Sequence, residues 1–349
     1  MLKKVILHLG SPKAGSSSIQ QSLFGYDDGR SFYLNLGDSN PNHSLRISSA
    51  FMKNKVHYLW KRREISDQEI ISTNNKTIKI LDDSLKRTDR EEMIISGEGI
   101  GFSLDNDELG ELINYLQKYG AKLNIFYYAR DPLSFAKSIF QQRAKRGGIK
   151  KLEKKYGFTR HRKRLEKFIE MLPKEQISVK EFTKSNLYKG CVVHDFCKNI
   201  NIKPNNVINV NESVSLHSLK LILLLNKLVD FQKFSNKYQF QARNSLIKFL
   251  MKAYSKSESI DKEYFNCISN NSESSFLNEN FNINFANENN VTNKLTIDDV
   301  NNFLNDTSDI NKNNLCELLL IKKIKIDTND TLENIILNSF NSLYEEYQA

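Results

Sequence analysis

Glycines, serines and one lysine crowd the stretch Gly10-Ser11-Pro12-Lys13-Ala14-Gly15-Ser16-Ser17-Ser18. Glycine lets a backbone come close to an anion, main-chain N–H groups and hydroxyls donate to its oxygens, and a lysine adds a mobile positive charge. Such a set can cradle a phosphate. Three more places carry chemically useful types. Glu98 stands between Gly97 and Gly99, His43 follows the turn-rich Asp38-Ser39-Asn40-Pro41-Asn42, and Arg130 opens Arg130-Asp131-Pro132 with Ser138 eight residues further on. A carboxylate or a neutral imidazole can take a proton from a hydroxyl, and a guanidinium fork can bind a phosphate bidentately. Each has a plainer alternative: a simple turn for the serine-rich loop, a cap or ion pair for Glu98, a surface or capping role for His43.

The elements that must position these residues are legible as period and punctuation. Val5-Ile6-Leu7-His8-Leu9 is an apolar run of strand length, and Ile19 and Leu23 begin a helical spacing, so the loop joins a buried strand to a helix start. The N-terminus of that helix presents unpaired N–H groups and the positive end of the dipole, which makes residues 15–18 an anion cradle even without Lys13. Phe32-Tyr33-Leu34-Asn35-Leu36 reads as a short strand or extended segment. Met93-Ile94-Ile95-Ser96 is another strand, and Glu98 lies just past its end. Leu123-Asn124-Ile125-Phe126-Tyr127-Tyr128-Ala129 is the strongest strand, with Asp131 as a helix cap and Pro132 as the first helical residue. Ser134, Ser138, Gln141 or Gln142 and Lys145 then share one helical face. Ile177-Ser178-Val179-Lys180-Glu181-Phe182 is a further strand. Strands alternating with helices imply an α/β fold, a parallel sheet flanked by helices, in which ligands gather at the carboxyl ends of the strands.

Further helices are expected over residues 66–88, 105–118 and 216–228. The first has Ile70, Ile71, Ile78, Ile80, Leu81 and Leu85 as its apolar face and a break near Asn74 and Asn75. Residues 269–293 read as loop, and apolar periodicity returns over 315–326 and 332–347. The organisation expected is a main α/β domain over residues 1–254 and an Asn-rich, mainly helical C-terminal extension over 255–349, where 21 of 95 residues are Asn.

The chain has 349 residues, 39% hydrophobic and 26% charged, with a formal net charge of +10. That charge is uneven: residues 1–254 carry 44 Lys and Arg against 25 Asp and Glu, and residues 255–349 carry 7 against 16. A basic body favours anionic partners without choosing among them. Twelve Lys and Arg fall between Arg143 and Lys167, readable either as a solvated helix face or as a cationic rim for an acidic acceptor. No apolar run approaches the length of a membrane span or of an export signal's core, so a cytoplasmic protein with no transmembrane segment is expected. Cys191, Cys197, Cys267 and Cys316 show no paired spacing and read as reduced, and no metal-ligand set stands out.

Gly10 and Gly15 have the spacing of a Walker A loop, but Ser16 stands where its lysine belongs, which disfavours an ATPase. The string Pro12-Lys13-Ala14-Gly15-Ser16-Ser17-Ser18-Ile19-Gln20 instead resembles the P-K-x-G-T-T-S-L-Q loop of sulfotransferases that use 3'-phosphoadenosine-5'-phosphosulfate (PAPS). Tyr127-Tyr128-Ala129-Arg130-Asp131-Pro132 with Ser138 resembles the second signature of the same superfamily. The segments around Asp195-Phe196-Cys197 and Asn211-Glu212-Ser213-Val214-Ser215 are similar to the downstream pattern of its bacterial members, extending the likeness to about Lys227. The resemblance implies a P-loop-NTPase-like sulfotransferase fold and sulfuryl transfer to a hydroxyl of a glycan or glycoconjugate, chemistry that needs no metal; the basic body fits an acidic acceptor, and with no nucleic-acid motif in the sequence no nucleic-acid partner is expected. It implies that Gly15, Ser16, Ser17 and Ser18 hold the 5'-phosphosulfate, that Lys13 stabilises the leaving 3',5'-diphosphoadenosine, and that Arg130 and Ser138 grip the 3'-phosphate. The superfamily uses either Glu or His as base, leaving Glu98 first and His43 second. A P-loop kinase or NTPase, and a non-enzymatic binder of acidic polymers, stand as the alternatives.

Overall fold

A computed structural model of the chain describes residues 2–53, 57, 59–60, 64–210, 214–268, 272–285 and 295–349. The chain divides into two compact units: the first comprises residues 1–131, 159–210 and 271–286, the second 132–158, 211–270 and 287–349.

The first unit is built on five parallel strands: β1 (Lys4–His8), β2 (Ser31–Tyr33), β3 (Glu92–Ser96), β4 (Lys122–Ala129) and β5 (Ile177–Glu181), in the order β2-β3-β1-β4-β5. β1 is therefore central, and its neighbours lead away to opposite edges. Helices intervene as α1 (Ser16–Leu23), α2 (Ser44–Phe51), α3 (Asp67–Leu85), α4 (Ile100–Ser103), α5 (Asn106–Gln117), α6 (Pro132–Lys145), α7 (His161–Met171) and α8 (Val192–Asn199), of which only α6 belongs to the second unit.

Strand alternation decides what each face of the sheet meets. Val5, Leu7, Met93, Ile95, Leu123, Ile125 and Tyr127 pack with Leu81 and Leu85 of α3, the Leu109, Leu112, Ile113 and Leu116 face of α5, and Leu165 and Phe168 of α7. Ile6, Ile94, Phe126 and Tyr128 take the other face, against Ile19 and Leu23 of α1 and Val193 and Phe196 of α8. Both faces are covered, as an all-parallel sheet requires. Ser66 and Asp105 open α3 and α5 with capping boxes closed by Glu69 and Glu108.

Three local expectations change. α3 runs unbroken through Asn74, whose Nδ2 donates to the Ser49 carbonyl at 3.0 Å, so the amide that competes with helix formation is occupied elsewhere. Ile71 points to solvent, because the buried stripe of α3 is Ile70, Thr77, Leu81 and Leu85. Part of the segment read as loop is a helix, α11 (Ser274–Phe281), whose Phe276 and Leu277 enter the first unit's core with Ile283 and Phe285. Asn211, Glu212 and Ser213 lie outside the described residues.

The second unit is helical. Besides α6 it contains α9 (Leu216–Leu228), α10 (Lys237–Ala253), α12 (Ile297–Asn305), α13 (Lys312–Ile321) and α14 (Leu332–Gln348), around Phe140, Leu219, Leu246, Leu250, Phe265, Leu315 and Ile335. Buried Arg243 donates to the carbonyls of Lys145 at 2.8 Å and Ala144 at 3.2 Å and to Asn226 Oδ1 at 2.7 Å, so a cation closes the carboxyl end of α6. The four cysteines are unpaired. No helix among the described residues is long and apolar enough to cross a membrane.

Candidate active site

Because β1, β3 and β4 are parallel neighbours, the loops that follow them emerge at one edge of the sheet. The serine-rich loop leaves β1 there, with Leu9 N–H donating to the Phe126 carbonyl and Ser11 N–H to the Tyr128 carbonyl. Gly10 and Gly15 take left-handed φ values of 47° and 76°, and Lys13 does so at 68°. A Cβ at Gly15 would stand 2.6 Å from Val192 Cγ1, so α8 holds the loop against α1 at van der Waals distance. α1 starts at Ser16 with no side-chain cap on its first turn. Its opening N–H groups belong to the set that a helix cannot satisfy internally.

Buried polar atoms without partners collect here. Among the described residues neither the Ser16 hydroxyl nor His8 Nε2 has a hydrogen-bond partner, and a Cβ at Gly10 would lie 2.4 Å from the first and 3.1 Å from the second. The other ring nitrogen of His8 is 2.8 Å from Ser96 Oγ. Burial pushes the His8 imidazole down to about 3, so it is neutral at physiological pH. Arg130, at the end of β4, donates from Nη1 to the main-chain oxygen of Lys13 and leaves Nε unpartnered. Its guanidinium lies over the Phe182 ring at 5.4 Å and is pushed down to about 10 by burial. A half-buried guanidinium whose Nε is enclosed and unpartnered can receive an oxyanion.

Glu98 closes the neighbouring corner. Its Oε2 accepts from Gln20 of α1 at 3.0 Å and from Asn42 at 3.1 Å, and its main-chain oxygen accepts from Arg164 Nη1 at 3.0 Å. Two amides thus orient a half-buried carboxylate beside the helix that carries the loop. His43 is arranged differently. It is 1% exposed, its Nδ1 accepts from Ser96 N–H at 3.0 Å, and its Nε2 is 2.8 Å from the Leu34 carbonyl. Both ring nitrogens are engaged by main chain, and burial pushes the ring down to about 4. Ser17 is exposed, the Ser18 hydroxyl accepts from Val210 N–H at 3.0 Å, and Ser138 lies on α6 in the second unit. Among the described residues no cluster of three His, Cys, Asp or Glu could hold a metal ion.

Several site neighbours escaped the sequence reading. His8 interrupts an otherwise apolar strand, and that interruption was the available signal. Asp195 had been read only as part of a motif; buried, it accepts from Tyr128 Oη at 2.7 Å and ties β4 to α8. His161, at the start of α7, places Nε2 3.0 Å from the Arg130 carbonyl and Nδ1 2.9 Å from Tyr127 Oη, while its N–H donates to Glu273 at 2.6 Å. Nothing local in the sequence announces these contacts, which join residues more than thirty positions apart.

No protein-family model, curated protein or solved structure matches this chain.

Proposed function

We propose that this chain is a PAPS-dependent sulfotransferase with a P-loop-like sulfotransferase fold, moving a sulfuryl group to a hydroxyl of a glycan or glycoconjugate. One observation carries the proposal: the unpartnered, buried His8 Nε2 and Ser16 hydroxyl flank Gly10, and Arg130, its Nε likewise unpartnered, grips the same loop by the Lys13 carbonyl. Buried polar groups without partners carry a desolvation penalty of about 1–3 kcal/mol each, which an oxyanion in the loop would relieve at the Ser16 hydroxyl and Arg130 Nε, and at His8 in the tautomer that carries its proton on Nε2. The donor set therefore fits a phosphosulfate.

When bound, the donor would supply a sulfuryl group for transfer from its 5'-phosphate oxygen to the acceptor oxygen, with 3',5'-diphosphoadenosine as leaving group. The main-chain N–H groups of residues 15–17 and the Ser16 hydroxyl hold its 5' end, as does Ser17 at the exposed rim, while the Ser18 N–H is taken up by the Gly15 carbonyl at 3.0 Å. Lys13 stands in the same loop to offset charge on the departing oxygen. Arg130 takes the 3'-phosphate through its fork; Ser138 enters this assignment through the resemblance alone. Glu98 takes the proton of the acceptor hydroxyl, since it presents a carboxylate oriented by Gln20 and Asn42, whereas His43 has no ring nitrogen left to accept one.

Titration calorimetry with 3',5'-diphosphoadenosine and, separately, with ATP and Mg²⁺ tests this on the parent protein and on Lys13→Ala. Tight binding of the first, weak binding of the second and loss of sulfate transfer in the variant are expected. Preference for ATP would replace the proposal with a P-loop kinase.

A further inference from the structure

Arg164 is a buried cation with no carboxylate at ion-pair distance among the described residues; Glu98 and Glu273 act on it only from further away. It is 9% exposed, its only hydrogen bond goes from Nη1 to the Glu98 carbonyl, and its Nε is unpartnered. Arg243, the other buried arginine with an unpartnered Nε in a helix-rich setting, shows what structural employment looks like: three acceptors at the end of a helix. Arg164 has no such set. It also has company of its own sign, because Arg160 Cζ, Lys163 Nζ and Arg164 Cζ lie 5.7, 4.7 and 4.9 Å from the centre of one ring, that of Phe102. Among the described residues none of the three forms an ion pair. Three cations on one aromatic ring repel one another, and the ring's quadrupole offsets only part of that repulsion. An oxyanion between them would offset the rest.

We propose that Arg164, with Arg160 and Lys163 around Phe102, seats an anionic group of the acceptor, so that the acceptor is an acidic saccharide bearing a carboxylate or sulfate ester. The word acceptor rests on the sulfotransferase reading above; the anion seat rests on Arg164. Place decides between donor and acceptor. Glu98 separates the two anion sites: its carboxylate is held by Gln20, on the helix of the anion loop, and its carbonyl is held by Arg164. A saccharide whose hydroxyl approaches Glu98 brings its neighbouring substituents toward α7. Arg160 and Lys163 are exposed, which suits a charge carried on a larger molecule and not an enclosed ion.

The test uses full-length protein saturated with 3',5'-diphosphoadenosine and titrated with a uronic acid–hexosamine disaccharide, with its carboxyl-reduced neutral counterpart as control. Binding of the acidic disaccharide but not of the neutral one is expected. Arg164→Gln should weaken it about tenfold or more, as for a charge-assisted hydrogen bond. Arg160→Gln/Lys163→Gln, whose exposed sites keep folding out of question, should weaken it roughly threefold to tenfold, while Lys150→Gln/Lys151→Gln, a charge-matched control on the other unit, should not. Binding of the disaccharide to nucleotide-free protein that is lost on saturation with the nucleotide would assign Arg164 to the donor and overturn the proposal, as would equal affinity in the Arg164 variant, equal binding of the neutral sugar, or no binding of the acidic one. Failure of the nucleotide itself to bind would sink the transferase reading, and the acceptor assignment with it, whatever the disaccharide does.

Discussion

Arg130→Gln separates two roles that one guanidinium could play. In the nucleotide-free protein the group donates to the Lys13 carbonyl and lies over Phe182, interactions worth about 1–2 and about 1 kcal/mol. Burial opposes them, pushing the guanidinium down to about 10, which is worth roughly 3 kcal/mol against keeping the charge in the folded state. The two sides nearly cancel. Arg130→Gln should therefore leave the unfolding free energy within about 1 kcal/mol of the parent. The bound state differs, because a bidentate charge-assisted contact worth about 2–3 kcal/mol disappears, roughly 30- to 150-fold in the dissociation constant for 3',5'-diphosphoadenosine. Urea unfolding without nucleotide and titration calorimetry with it measure the two quantities separately. A variant that unfolds several kcal/mol more easily yet binds nucleotide as tightly as the parent would refute the reasoning: Arg130 would then be a clamp on the loop and not a ligand for phosphate.

Gly15→Ala meets both a left-handed φ of 76° and Val192 Cγ1 at 2.6 Å, and should destabilise by about 2–4 kcal/mol, strain and overpacking together. A Gly15→Ala/Val192→Ala double variant should recover the packing share, measurable in a thermal double-mutant cycle. Glu98→Gln keeps an oxygen to accept from Gln20 and Asn42 but loses the base, so kcat for sulfate transfer should fall about 10²- to 10⁴-fold with diphosphoadenosine affinity unchanged. A matching fall in affinity would make Glu98 a structural residue. The buried His8, His43 and His161 are pushed down to about 3, 4 and 4 by desolvation, and an unfolded chain protonates each near 6.5. The unfolded state then binds more protons as pH falls below 6.5, so stability is fully present above that pH and is lost toward pH 4. The slope should approach ~1.4 kcal/mol per pH unit for each histidine. Chemical denaturation at pH 7.5, 6, 5 and 4.5 reads this directly; a flat profile would mean that these rings are charged in the fold.

Elements that obey a short repeat were legible in the sequence. β1, β3, β4 and β5 announce themselves as apolar runs, and the Leu109, Leu112, Ile113 and Leu116 stripe gives α5 its buried face. That the serine-rich loop joins β1 to α1 was legible because its glycines and serines interrupt the apolar period between strand and helix. Three-dimensional satisfaction was not. That Gln20 and Asn42 hold Glu98, or that main-chain groups occupy both nitrogens of His43, depends on which loops a parallel sheet brings to one edge. Arg164 looked like one of twelve basic residues on a solvated stretch; only burial distinguishes it from Arg162 and Lys163. Composition also hides membership of a core: the Asn-rich tract contributes Phe276, Leu277, Ile283 and Phe285 to the sheet unit, because packing selects individual apolar residues whatever their neighbours.

That late contribution sets a timetable for biosynthesis. All five strands have left the ribosome's active site by Glu181, yet the sheet's core is completed only by residues up to Phe285, and Glu273 must arrive to hold Thr159 Oγ1 and the His161 N–H. At about 5–20 residues per second, the hundred residues between are synthesised in roughly 5–20 seconds. During that interval the nascent sheet lacks four apolar side chains, each worth about 1.5–3 kcal/mol when buried, a sum comparable with the whole margin of stability of a typical domain. The sheet unit of this protein is therefore finished from its far end, and a growing chain that stalls before that point exposes sheet surface that the completed molecule covers.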